Sequence, residues 1–138
     1  MASDYSRKTF DAATVLKAAG LVAASAAGSI ILDLGDGLLD ADLVIDITAL
    51  EVASNDEIYT VSLEGSNVAG MASGSVTLAE KQFGNVPAPA DADTAIGRHI
   101  VPFRNELNGQ LYRYVRLYTT VVGAVATGIN YSAFIAKK

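Results

Sequence analysis

Cysteine is absent from the 138 residues, and histidine occurs once, at His99. The first absence excludes a disulfide framework and a thiolate metal site, and it fits assembly in a reducing cytosol. The second leaves no Ser, His and Asp arrangement with supporting spacing, and a lone histidine on an alternating strand reads as structural. Charged residues are scarce at 18% against 51% hydrophobic, the balance of a globular chain and not of a disordered one. A membrane span needs about 20 strongly apolar residues, and none is expected here. The net charge of −5 argues against nucleic acid as the main partner. A chain of this length buries enough surface for one core without covalent staples.

Positive charge is missing from one whole stretch. The acids Asp33, Asp36, Asp40, Asp42, Asp46, Glu51, Asp56, Glu57 and Glu64 follow one another with no Lys or Arg between them. Further on, Arg98, Arg104, Arg113 and Arg116 have only Glu106 for company. Two readings are open: compensation within the fold, which is preferred, and complementarity between neighbouring subunits. The run DLGDGLLDAD lacks the spacing of a calcium-binding helix–loop–helix, so its aspartates read as turn formers, with a calcium site in an end loop as the minor alternative. Gly35 and Gly37 open no helix, which removes a phosphate loop. Acids on different strands, Asp46 and Glu64 for example, leave a saccharide-binding or glycosidase cleft open without supporting it.

Residues 1–28 are rich in alanine and weakly patterned. Asp11 suits the cap of a short helix over 12–19, limited by Gly20 and Gly28. A secretion leader is disfavoured because Asp4, Asp11 and Lys17 interrupt the pattern. The preferred reading is an arm with small side chains lying on another protein's surface, its contacts made by Phe10, Val15, Leu16, Leu21 and Val22. From residue 28 on, strand signals recur at 29–34, 41–53, 57–64, 75–83, 99–104, 111–122 and 129–135, with turn residues between them. Pro102 suggests a sheet edge, and 84–95 reads as a long irregular connection. The fold class is all-β: an antiparallel sandwich over 29–138, with jelly-roll, immunoglobulin-like and barrel forms not separable by pattern.

The chain is organised around residues 111–122. Leu111, Val115, Leu117 and Val121, with Arg113 and Thr119 among them, point to one side and call for a core. Tyr112, Tyr114, Arg116, Tyr118 and Thr120 point to the other. Tyrosine and arginine are the residue types enriched at protein–protein contacts, so Tyr112, Tyr114, Arg116 and Tyr118, together with Arg98 and Arg104, are the expected interface residues. The bland reading is an outer sheet face where Tyr and Arg stack on their neighbours.

The elements GRHIVPFRNE, LYRYVRLYTTVVG and GINYSAFI, and the layout of DAATV, an Ala/Ser-rich stretch and IILDLGDG before them, resemble the phage capsid cement (decoration) proteins of the type first described in a short-tailed Bordetella phage. The resemblance implies a small jelly-roll-like β-sandwich on the outside of an icosahedral head. There it would act as a homodimer or homotrimer that bridges neighbouring major capsid protein subunits of the virion. It implies no enzyme, no catalytic residue, no cofactor, no metal, and no membrane or nucleic-acid partner. Two other readings remain: a tail, fibre or head-joining β-sandwich, and a carbohydrate-binding module.

Overall fold

The computed structural model describes residues 14–85 and 96–137. Eleven strands are formed: β1 (Val15–Val22), β2 (Ala26–Ala27), β3 (Leu32–Asp33), β4 (Asp40–Leu50), β5 (Ile58–Ser66), β6 (Val76–Gly84), β7 (Gly97–Arg104), β8 (Glu106–Leu107), β9 (Gln110–Leu111), β10 (Tyr114–Val122) and β11 (Ile129–Lys137). A four-stranded sheet runs β1-β11-β4-β7, and a five-stranded sheet runs β2-β10-β5-β6 with β3 also on β10. Every pairing is antiparallel. The two sheets pack face to face as an all-β sandwich, with the apolar members of each alternation turned inward.

The core follows the period-two pattern strand by strand. Leu43, Ile45 and Ile47 of β4 meet Tyr59, Val61 and Leu63 of β5, Val115 and Leu117 of β10, and Ile129, Tyr131, Ala133 and Ile135 of β11. One polar bond crosses between the sheets inside it, Thr119 Oγ1 to the Tyr131 hydroxyl at 2.5 Å. A buried hydroxyl pair of this kind satisfies both groups and fixes how one sheet sits on the other. His99 packs edge-on against Phe83, with ring centroids 5.0 Å apart. β7 is an edge strand, as Pro102 suggested. The Asn108-Gly109 turn joins β8 to β9 with positive φ at both residues (52° and 83°), the geometry of a two-residue hairpin.

The amino-terminal segment departs from the expected arm. Val15–Val22 is a strand paired with β11, from Val15 opposite Phe134 to Val22 opposite Ile129. Leu16 is completely buried in the core and Val22 packs against it, so the sandwich already includes Val15 and does not begin at 29. The helix expected over 12–19 is replaced by strand from Val15 on. Alanine's helix propensity is a weak preference, and pairing with a formed sheet edge overrides it. Residues 1–13, Phe10 included, lie outside the described residues, as does 86–95 of the expected connection.

Two departures from simple alternation shape the outer faces. In β4 the register slips against β11 between Asn130 and Tyr131, which face Ala49 and Ile47. Thr48 is the extra residue, and Ala49, which strict alternation would turn inward with Ile47, is exposed. The second departure is at Tyr112 and Arg113, which belong to neither β9 nor β10. Asn105, fully buried, holds this break. Its Oδ1 accepts the Leu39 N–H at 2.7 Å, and its Nδ2 donates to Gly37 O and Tyr112 O, both at 3.0 Å. Asn67 grips the break from the other side, donating to Leu111 O at 2.8 Å and accepting from Arg113 N at 3.0 Å.

Carboxylates hold several loops by their backbone. Glu51 accepts the N–H groups of Ala126, Thr127 and Gly128, which hold its carboxyl well below its ordinary value, at about 2. Burial opposes the charge on Glu57, but the N–H groups of Ser54 and Asp56 outweigh it and its carboxyl is also lowered.

Candidate interaction surface

Five of the six residues expected at an interface divide between the two outer faces of the sandwich. Tyr114, Arg116 and Tyr118 are half-buried on β10 and alternate with buried Val115, Leu117 and Thr119, so they stand on the outer face of the five-stranded sheet. Arg98 and Arg104 are on β7 and pair with Asp46 and Asp40 on the outer face of the four-stranded sheet. They do not join the tyrosines.

Tyr112 is on neither outer face. A Cβ placed on Gly65 would come within 3.0 Å of the Tyr112 Cβ and 2.7 Å of Leu78 Cδ1. Gly65 follows Leu63 by two on the inward side of β5, so Tyr112 sits on the core side of the sheet. Arg113, expected inward, goes outward instead. Its guanidinium bonds Asp33 through Nε and Nη2 at 2.7 and 2.9 Å, reaches Asp36 at 3.0 Å, and lies over the Tyr114 ring. The break held by Asn105 and Asn67 exchanges the two faces at this point, which a strict period of two does not anticipate.

The face around Tyr114, Arg116 and Tyr118 continues across the sheet in rows. Arg116 lies directly opposite Glu64 and donates to it at 3.0 Å, both side chains about a fifth exposed (23% and 21%). Tyr118 lies between Ala27 and Ser62, and Ser62 in turn lies opposite Glu80. Tyr114 lies between Asp33 and Ser66. Asp33 is held well below its ordinary value, at about 2, by the hydrogen bonds from Arg113 and from Gly35 N–H. The result is a rigid antiparallel surface carrying two aromatic rings, one central ion pair and short hydroxyls.

The pairing of acids with arginines answers the question raised by the charge distribution. Arg98 with Asp46, Arg104 with Asp40, Arg113 with Asp33 and Asp36, and Arg116 with Glu64 each join the basic stretch to the acidic stretch inside one chain. Three of these pairs are direct cross-strand neighbours, so the compensation also fixes strand register. The reading as complementarity between subunits is therefore not needed for these residues. Asp46 and Glu64 lie on outer faces of different sheets and cannot share a cleft. Asp33 and Asp36 make a turn and an ion pair, the turn-forming role expected of them.

Of the expected arm contacts, Val15 packs on a small outward cluster of Val44, Phe134 and Ala136, while Leu16 and Val22 face the core. Among those that are described, Leu21 alone is open, 60% exposed. The partners that sequence reasoning missed, Glu64 and Ser62, sit opposite Arg116 and Tyr118. The alternation of 57–64 placed them outward, but only strand register pairs them with β10.

These features define an all-antiparallel β-sandwich with a polar aromatic outer face. No protein-family model and no curated protein matches the chain.

Proposed function

We propose that the protein is a structural component of a virus particle, a phage capsid cement protein that ties neighbouring major capsid protein subunits together on the outside of the head. The observation that carries this reading is the outer face built on Tyr114, Arg116 and Tyr118. Its rings are fixed on a central strand, so little side-chain freedom is lost when a partner covers them. Its central charge is already neutralised by Glu64, so covering the middle of the face does not strand Arg116 as an unpaired ion. The sequence resemblance described above points the same way.

We read the strand order as a jelly roll. With β2 and β3 counted as one strand and the β8–β9 hairpin set aside, the first strand pairs with the eighth, the second with the seventh, the third with the sixth and the fourth with the fifth. That winding is used by capsid proteins, among others. In the proposed mechanism the protein, as a homodimer or homotrimer, binds only the assembled, expanded lattice. By mass action it then stabilises that lattice, with many modest contacts adding up over the shell.

The test is a pull-down on undecorated, expanded heads, with light scattering on the free protein. Saturable binding in copy numbers matching the lattice, from a stable dimer or trimer, is the expected result. A monomer that ignores the heads overturns the proposal.

A further inference from the structure

The sandwich has four sheet edges, and they are not equally protected. β1 is interrupted by two register shifts, and Lys17 Nζ donates to the Ala18 and Gly20 carbonyls of the same strand and to Tyr131 O. β7 carries Pro102 and two arginines. The edge beside β10 is made of β2 and β3, two residues each. Bulges, proline, charge and shortness are the devices that keep an edge from recruiting another strand.

β6 has one bulge and one charge of each sign, Glu80 and Lys81, but neither proline nor shortness. It is nine residues long, contains no proline, and among the described residues pairs only with β5. Its single irregularity is at Leu78, the residue left unmatched between Ala79 opposite Leu63 and Thr77 opposite Glu64. Beyond that bulge, Ala79–Gln82 continues the ladder on β5, and its other side pairs with no further strand among the described residues.

Charge identifies the occupant. Glu80 stands at the end of the Tyr118–Ser62–Glu80 row, meets Ser62 Oγ at 3.5 Å, and has no cation paired with it among the described residues. The other carboxylates of that face, Asp33, Asp36 and Glu64, are all paired. A second copy of this chain fits poorly. Antiparallel self-pairing near the middle of β6 sets Glu80 against Glu80 or Lys81 against Lys81 of the second copy, and like charges directly opposite are destabilising.

We propose that the outer edge of β6 takes up an extended segment of the capsid lattice protein by strand addition, with a basic side chain of that segment facing Glu80. This inference rests on the cement reading and specifies how the attachment is made. The experiment compares amide hydrogen exchange of the free protein with that of decorated heads, and measures head binding by Glu80→Arg and Glu80→Gln variants whose thermal melts match the parent. The expected result is that the alternate amides of 76–84 that are not bonded to β5 exchange freely in solution and become protected on the head. Glu80→Arg should lower affinity by about tenfold or more and Glu80→Gln by less. Binding that leaves these amides unprotected overturns the strand addition and leaves the cement reading standing. Protection already present in the free oligomer assigns the edge to a second copy and also overturns it. Failure of the parent protein to bind heads removes both.

Discussion

The two outer faces of the sandwich share a period of two in sequence and differ in structure. On the five-stranded sheet the outward row of β10 is Tyr114, Arg116 and Tyr118, half-buried and polar at the tips. On the four-stranded sheet, Val15, Phe134, Val44 and Ile100 form one row across β1, β11, β4 and β7. Val44 and Phe134 in that row are as buried as the core, Phe134 only 1% exposed, while Ile100 at the edge is 42% exposed. The Arg98 guanidinium lies over the Phe134 ring. Periodicity says which way a side chain points; it does not say whether that side is open to water.

Substitutions separate the two faces. The largest effect is expected on the four-stranded sheet, where Phe134→Ala should cost about 3–5 kcal/mol in urea unfolding despite its outward position. A cost near that of an exposed residue would mean the patch is open. Leu16→Ala should cost about 2–5 kcal/mol, because β1 is part of the core and not an arm. On the other face, Tyr114→Ala with Tyr118→Ala should leave the fold within about 1–2 kcal/mol of the parent and weaken head binding by about tenfold or more. If the double variant unfolds instead, the two faces are not different in kind. Arg116→Met should change stability by about 1 kcal/mol or less, since its ion pair with Glu64 is partly solvated.

Acid gives the gentlest test of the five-stranded face. Asp33 on the five-stranded sheet has its carboxyl lowered from 3.8 to about 2. A depressed carboxyl stabilises the fold above its unfolded value and loses that contribution as pH falls through the folded value. The tie of Asp33 to Arg113 should therefore hold at pH 5 and weaken between about 4 and 2. Nuclear magnetic resonance of the side chains over that pH range should show shifts around Asp33, Arg113 and Tyr114 as the tie is lost.

Much of the fold was legible because its strands obey a period of two and end at turn residues. The inward sets of β4, β5, β10 and β11 follow directly from alternation. The departures have local causes that alternation cannot carry. Alanine-rich residues 15–22 became a strand because β11 offered an edge, information that lies over a hundred residues away. Tyr112 changed sides because Asn105 and Asn67 hold the chain off the ladder, and an asparagine before a turn reads in sequence as turn chemistry alone. Of the proposed surface, Tyr114, Arg116 and Tyr118 were legible; Glu64 as a partner needed the register of β5 against β10.

The place of β11 has a consequence for how the molecule comes into being. It is the last strand in chain order, yet it lies in the interior of its sheet, between β1 and β4. During synthesis Leu16 and Ile45 have no finished sheet to enter until residues 129–137 leave the ribosome. Such long-range closure makes folding slow, on a scale of milliseconds to seconds, and nearly all-or-none. A chain cut short before β11 would leave β1 without its partner and one edge of β4 open, and be prone to aggregate. Only molecules that reach their final strand can present the finished surface to a partner.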